Sequence, residues 1–476
     1  MKKKFIVGLL TMLFLAVSLY AIQKDRMEFL VLPFALGVVW LSIKRLDILL
    51  LLIVFCTPLS LNLEGLELGG IGFYFPTEPL LFGVLILFFL KLVRGKSIDP
   101  RIYRHPISMF IYVYLLWIFI TSITSEMPLV SFKFLLAKLW FIVPAFFMAT
   151  FLFQEKRNMD RFFIAYMISL CLVVIYTLYN HAQFGFDKES GHWVMSPFYK
   201  DHTVYGAALA LMFPFAFAKA LRPGKKLYAR PFFLATVVIL ATGLVFSYTR
   251  AAWVSLVAGA IVFFCLWLRV QLNLLLVTFV LLIGLFFTFQ LEIVNSLERN
   301  DQESSSSLSE HVESISNVSS DASNMERLNR WYCAIDMWEE RPVFGWGPGV
   351  YQFTYAPFQR SALNTIISTN SADQGNAHSE YLGPLAEQGL PGMLLMLVLV
   401  YMVSALAFRL YFTVRNSEIR LLVVATYIGL VTYFTHGLIN NYLDTDKASI
   451  PFWGFIAILV AIDLYHKKGL PDLTTE

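Results

Sequence analysis

Apolar residues run along this chain in long blocks separated by short polar breaks. A block of about 17 residues or more can cross roughly 30 Å of hydrocarbon as an α-helix. Such blocks fall at 5–22, 27–43, 46–62, 77–93, 107–125, 129–153, 162–180, 202–221, 231–247, 250–269, 273–291, 387–409, 418–438 and 448–464. The pattern predicts an all-α fold, a polytopic transmembrane helix bundle of about 12–14 spans. One break is far longer than the rest. The organisation expected is therefore N-terminal transmembrane helices over 1–291, a large loop containing short helices over 292–386, and C-terminal transmembrane helices over 387–476.

The long loop has two parts. Residues 292–326 include a Ser-rich, acidic stretch nearly free of aromatics, which buries too little apolar area to order itself and reads as a flexible linker. From Arg327 the composition turns dense in aromatics and glycine, so 327–386 is expected to be ordered. Residues 327–340 read as an amphipathic helix with Leu328, Trp331, Ile335 and Trp338 on one face. Arg341-Pro342 ends it, and GWGPG, with Gly345, Gly347 and Gly349, makes a tight turn. Gly389-Leu390-Pro391-Gly392 reads as a helix-entry turn.

Composition agrees with the pattern. Hydrophobic residues make up 58% of the chain and charged residues 15%, against about 25% charged in soluble domains. The net charge of +4 is small; the placement of the charges matters more. With the N-terminus in the cytoplasm, most of the 37 basic residues fall in short inside loops, among them Lys2–Lys4, Lys44, Arg45, Arg101, Arg104, Lys156, Arg157, Lys225, Lys226, Arg415, Arg420, Lys467 and Lys468. Both termini are then cytoplasmic and the large loop extracytoplasmic. The first apolar block reads as an anchor helix rather than a cleaved signal, because Leu19 stands where a cleavage site wants a small residue. Cys56, Cys171 and Cys265 lie in apolar blocks and only Cys333 in the loop, which leaves no disulfide framework or CxxC metal site. No Walker loop, HExxH or dinucleotide fingerprint is present, and nothing points to nucleic acid.

Several polar constellations fall on the extracytoplasmic side. In YTRAAWV, Arg250 sits at the mouth of a span; it is either a binding group or an interfacial anchor, with Trp253 in the aromatic belt. RLNRW places Arg327 and Arg330 three residues apart on the loop helix. A guanidinium donates two parallel hydrogen bonds to phosphate oxygens, but the pair is also a solvated face balanced by Glu326 or Glu340. In GNAHSEYLGPLAEQGLPG, His378 and Glu380 precede a span, and histidine takes a proton from a hydroxyl near neutral pH. Asp201, before His202, is either a helix cap or a site residue. Lys138 lies deep in an apolar block, where an ionisable residue is a functional candidate. Asp444 and Asp446 are spaced to hold a metal-diphosphate, but that signal is weak and no metal is expected.

Together these stretches resemble one family. YTRAAW is similar to its SRGAWL-type motif. RLNRWYCAIDMWEERPVFGWGPGVYQF, with Trp331, resembles its Arg-x-x-x-Trp signature and the glycine-rich turn that follows. AHSEYLGPLAEQGLPG, with Gly389 and Gly392, resembles its His-Asn-x-x-Leu and Glu-x-Gly-x-x-Gly signature, and DHTVYGAALALMFPF its Asp-x-Asn/His segment. The family is the O-antigen ligase and O-antigen polymerase superfamily, with the related teichuronic-acid polymerases and protein O-oligosaccharyltransferases. Ser379 stands where the family has Asn, and Val254 where it has Leu.

The resemblance implies a GT-C-like bacterial inner-membrane glycosyltransferase of lipopolysaccharide biosynthesis. Its donor would be an undecaprenyl-diphosphate-linked glycan. Its acceptor would be a lipid A-core hydroxyl in a ligase or a glycan hydroxyl in a polymerase, on the periplasmic face. Arg250 and Arg327 would hold the diphosphate, helped by Arg330, Lys138 and Asp201. His378, with Glu380, would act on the acceptor hydroxyl. No cofactor is implied, and the reaction would be an inverting, metal-independent displacement. The reading in another class is a membrane transporter. A transporter places its ionisable groups at mid-membrane, whereas here only Lys138 is deep. A non-catalytic membrane scaffold is a third reading; it has no need of the Arg/His set. The aromatics Trp331, Trp338, Trp346, Tyr351 and Tyr355 read equally as sugar platforms and as the loop's own core.

Overall fold

The computed structural model describes residues 32–63, 74–93, 99–222, 229–275, 322–363 and 375–467, with isolated positions elsewhere. They fall into two compact units, Met1–Ile53 and Val54–Glu476. The first unit contains helix α1 (Leu32–Lys44) and most of α2 (Leu46–Cys56). The blocks at 5–22 and 273–291 lie mostly outside the described residues, as does the Ser-rich stretch 292–321.

Among the described residues of the second unit the only strands are β1 (Leu61–Asn62) and β2 (Tyr74–Phe75), paired antiparallel. Its helices are α3 (Thr77–Val93), α4 (Pro100–Arg104), α5 (Pro106–Ile123), α6 (Pro128–Leu152), α7 (Lys156–Ala182), α8 (His202–Leu221), α9 (Ala229–Phe246), α10 (Arg250–Trp267), α11 (Ala322–Glu340), α12 (Tyr351–Thr354), α13 (Leu382–Thr413), α14 (Ser417–His436) and α15 (Asp446–His466). Nine of these are long and apolar enough to cross a membrane: α5 to α10 and α13 to α15. The polytopic bundle expected from the pattern is therefore the fold. Helices suit this setting because every backbone polar group is satisfied within the segment.

Local sequence sets the helix ends. Asp99 and His105 accept the N–H of Arg101 and Ile107, each with proline at the first helical position, where the missing N–H costs nothing. Asn416 caps α14 in the same way, accepting from Glu418 and Ile419.

The centre of the bundle is α15, buried along Asp446–Ala461, with α14 beside it. Small residues permit the approach. A side chain at Gly454 would meet the Phe162 ring at 2.2 Å, and one at Gly429 would meet the Leu211 carbonyl at 2.6 Å. Phe163 stacks on Phe215 at 3.8 Å and packs against Phe455, which joins α7, α8 and α15. In α6 the segment Val143–Met148 widens to a π-turn around Pro144 and packs on α15. Proline lacks the N–H for the regular ladder, and such bulges absorb the mismatch.

Two boundaries differ from the sequence expectation. The loop helix starts at Ala322, not Arg327. The twelfth span starts at Leu382, not 387, and continues through a break at Gly389 (φ 68°, ψ −172°). The glycine-proline segment thus ends one short helical stretch and leads into the next, which agrees with the helix-entry turn expected there and adds the stretch 382–388 before it.

Candidate functional site

The kink in α13 organises the site. Breaking a helix frees carbonyls that must find other donors. Here the carbonyl of Ala386 takes the N–H of Trp346 at 3.0 Å, and that of Glu387 takes Gly347 N–H at 2.8 Å. The carbonyl of Gln388 takes the Trp117 indole N–H at 3.0 Å. In return Leu390 N–H donates to the Pro342 carbonyl at 2.9 Å. The GWGPG turn is therefore a docking strip. At Gly345 (φ 66°) a Cβ would lie 2.3 Å from Glu387 C, and at Gly389 one would lie 2.2 Å from Val343 O. Gly347 lies against Ser125, Gly349 against the Phe134 ring, and Gly392 against Gln388. Glu387 reinforces the seam by accepting Tyr351 N–H at 3.0 Å.

Above this seam lies α11, packed on α13. Its deeply buried face is Glu326, Asn329, Arg330, Cys333, Ala334 and Met337. Leu328, Trp331, Ile335 and Trp338, predicted as the apolar face, are only half-buried. The reason is compensation: the Arg330 Nε donates to Glu326 at 2.7 Å, so two charged residues are tolerated inside. Tyr351, Tyr355 and Ala377 complete this core, with Trp346 and Phe358 against it.

The two loop arginines have different surroundings. Arg330 is 4% exposed, sits 3.7 Å over the Tyr355 ring and fills the space beside Gly375. Arg327, half-buried, lies within electrostatic reach of His202, His378 and His436. Trp331 donates to the His378 carbonyl at 3.5 Å, which joins helix and histidine.

Arg250 reaches the same place from the bundle. It opens α10 directly after Thr249, whose hydroxyl donates to the His202 carbonyl at 2.7 Å. The starts of α8 and α10 are thereby fixed together. His202 lies within electrostatic reach of both Arg250 and Arg327. Asp201 caps α8, accepting Thr203 N–H at 2.7 Å and Val204 N–H at 3.1 Å. Thr203 hydroxyl also bonds Asp201 and the Tyr442 hydroxyl. Trp253 closes the α9–α10 turn through Leu244 O at 3.0 Å. Val254, where the family has Leu, is exposed.

His378 stands at φ 46°, a left-handed conformation uncommon outside glycine. Its N–H donates to Asn376 at 3.0 Å. Burial, then the charges of Arg327 and Arg330, push the imidazole down to about 4. The ring is therefore neutral at pH 7 and free to accept a proton. Ser379, in the place of the family's Asn, accepts the N–H of Tyr381 and Leu382 and so supports the start of α13.

Glu380 serves the turn that follows α14. One carboxylate oxygen accepts from Tyr433 OH at 2.6 Å, Tyr442 N–H at 2.7 Å and Leu443 N–H at 2.9 Å. Its own N–H donates to Gly437 O at 2.8 Å. Burial raises its pKa while Lys138 opposes the rise. Lys138 donates to the Leu443 carbonyl at 2.7 Å, over the Phe134 ring. It thus braces the 442–446 turn from below. Asp446 accepts from Ser60 and Thr77, and Lys447, 1% exposed, donates to Thr57 O and Ser60 O. These two join the start of α15 to the hairpin region.

Of the residues singled out from sequence, Arg250, Arg327, His378 and Asp201 converge on one neighbourhood. Arg330, Glu380 and Lys138 support its walls. Glu387, Tyr442 and His436 were missed, because their contacts join segments tens to hundreds of residues apart and no local motif marks them.

Residues 235–397 match the family model described as O-Antigen ligase. No curated protein matches the chain.

Proposed function

We propose that the chain, whose residues 235–397 match the O-Antigen ligase family model, is a membrane glycosyltransferase that moves an undecaprenyl-diphosphate-linked glycan onto a lipid A-core hydroxyl at the periplasmic face. The observation that carries this reading is the convergence of Arg250, Arg327 and His378 from three separate segments. In this reading Arg250 and Arg327 hold the donor diphosphate. The acceptor hydroxyl oxygen attacks the anomeric carbon and His378 takes its proton. The bond to the diphosphate oxygen breaks, and the lipid diphosphate leaves with the bonding pair against the two guanidiniums. Arginines poised where charge develops stabilise such a transition state in a low-dielectric site. Attack opposite the leaving group inverts the anomeric centre, and the arginines take the place of a metal.

The low basicity of His378 fits this order of events. Its proton affinity is held down in part by the arginines. A bound diphosphate offsets their charge and raises the imidazole's basicity by the arginines' share, while burial, the larger cause, remains. Glu380 and Lys138 are positioning residues in this scheme, and Asp201 fixes the helix start on which His202 stands.

Complementation tests it. Arg250→Ala, Arg327→Ala and His378→Ala, expressed at verified membrane levels in a strain lacking the gene, should each fail to restore surface glycan. Full restoration by all three contradicts the proposal. The glycan profile of the null strain addresses the acceptor. Long lipid-linked chains accumulate if a ligase is missing, and single repeats on the core appear if a repeat-unit polymerase is missing.

A further inference from the structure

His436 closes α14 at the end of the bundle where Arg250 and Arg327 lie, and its ring is 1% exposed. The Asn440 amide nitrogen lies 3.1 Å from its Nε2. An amide nitrogen only donates, so Nε2 accepts and the proton of the neutral ring sits on Nδ1. That Nδ1 is buried and meets no hydrogen-bond partner among the described residues. A buried donor left unmet is costly, and native proteins hold few of them.

Its surroundings indicate what would meet it. The ring lies within electrostatic reach of Arg327 and Asp201, and 5.8 Å from the Tyr442 ring. The Tyr442 hydroxyl bonds Thr203, beside the Asp201 cap. A second imidazole reaches the same field from another helix. His202 opens α8, stacks on His192 at 4.3 Å and lies within reach of Arg250 and Arg327. Its Nδ1 is also buried without a hydrogen-bond partner among the described residues. Two imidazole nitrogens from the ends of two helices are thus left for a guest in a neighbourhood dominated by guanidinium charge. An anionic oxygen suits the His436 donor and the field, and His202 matches it in the tautomer that carries its proton on Nδ1.

We propose that His436, together with His202, forms a neutral subsite that hydrogen-bonds phosphate oxygens of the lipid-diphosphate donor. The proposal rests on the reading of Arg250 and Arg327 as the donor's diphosphate clamp and adds two substrate-contacting groups to it. Neutral donors complement the arginines there: they hold the diphosphate in place without adding net charge that would retain it after transfer.

Paired substitutions separate contact from packing. Asn places an amide nitrogen near the position of Nδ1, whereas Gln places its amide near Nε2, where its oxygen can accept from Asn440, and leaves no donor at the Nδ1 position. In purified full-length protein in nanodiscs, with undecaprenyl diphosphate as the probe, His436→Gln should weaken binding about tenfold or more, the loss of one hydrogen bond to a charged group. His436→Asn should recover part of that loss. A purely structural histidine predicts the reverse order. Wild-type affinity in His436→Gln overturns the proposal, as does recovery by Gln but not Asn. His202→Ala leaves α14 untouched and should also weaken binding; wild-type affinity there overturns the two-histidine subsite even if His436 variants do not fold. Arg327→Ala is the control. If it binds normally, the diphosphate clamp itself is wrong; if it loses binding while both histidine variants keep it, only the histidine subsite is wrong.

Discussion

Replacing Glu380 with alanine removes the acceptor of three hydrogen bonds at once. Tyr433 OH, Tyr442 N–H and Leu443 N–H all converge on one carboxylate oxygen, at 2.6, 2.7 and 2.9 Å. Hydrogen bonds to a charged group contribute about 1.5–3 kcal/mol each, so the gross loss for three is about 4.5–9 kcal/mol. Part is offset because a buried carboxylate no longer has to be desolvated, while Lys138 loses a nearby counter-charge. Breaking a buried charged network by removing one member costs about 3–5 kcal/mol, and that is the net destabilisation expected. The 437–445 turn should loosen from the His378 segment at Tyr442 and Leu443, although the backbone N–H of residue 380 keeps its bond to Gly437 O. Thermal unfolding of the purified protein in detergent reads the stability, and glycan transfer reads the site. Glu380→Ala should melt well below wild type and lose transfer. Glu380→Gln keeps an oxygen acceptor and should recover most of the melting temperature. An alanine variant that melts and transfers like wild type would refute the reasoning that this carboxylate holds the site together.

Three further predictions follow from the same geometry. Gly345→Ala puts a Cβ 2.3 Å from Glu387 C at φ 66°; strain of about 1–2 kcal/mol from the backbone and about 1–3 from overpacking should lower the melting temperature, and an unchanged melt contradicts the docking seam. Arg330→Lys loses the planar stack on Tyr355 and the Nε bond to Glu326; it should destabilise the loop while donor affinity changes less than in Arg327→Ala, and the opposite ranking in a binding assay contradicts the division of roles. The pH profile tests His378. Because its folded pKa is depressed to about 4, kcat/KM should stay level from about pH 8 to 6 and fall only as acid protonates the ring near that value; an acid limb at the ordinary histidine value of about 6.5 contradicts the burial argument.

The bundle was legible because apolar runs of membrane length leave few alternatives for the backbone. Arg250, Arg327 and His378 were legible because each lies in a short motif, and the positions of their charges singled them out. The inward face of α11 was not. Its aromatic stripe drew attention, yet the helix buries Cys333, Ala334 and a Glu326–Arg330 ion pair. The glycines suggested a tight turn, while their role is also to let two backbones touch, and that partner lies some forty residues away. Lys138 was marked by its depth, but its partner, a backbone carbonyl 305 residues on, has no sequence signature. Contacts that close across the fold follow from the packing, and local periodicity carries no trace of them.

In the proposed mechanism Arg250, Arg327 and His378 form one site for transfer from a lipid diphosphate. Its most direct measurement is release of undecaprenyl diphosphate by the purified protein in nanodiscs, supplied with an undecaprenyl-diphosphate-linked glycan and the acceptor lipid of its own host. Release should be coupled to glycosylated acceptor, with rates reduced about 100-fold or more in each of the three alanine variants. Transfer that persists at the wild-type rate in Arg250→Ala, Arg327→Ala and His378→Ala would contradict it.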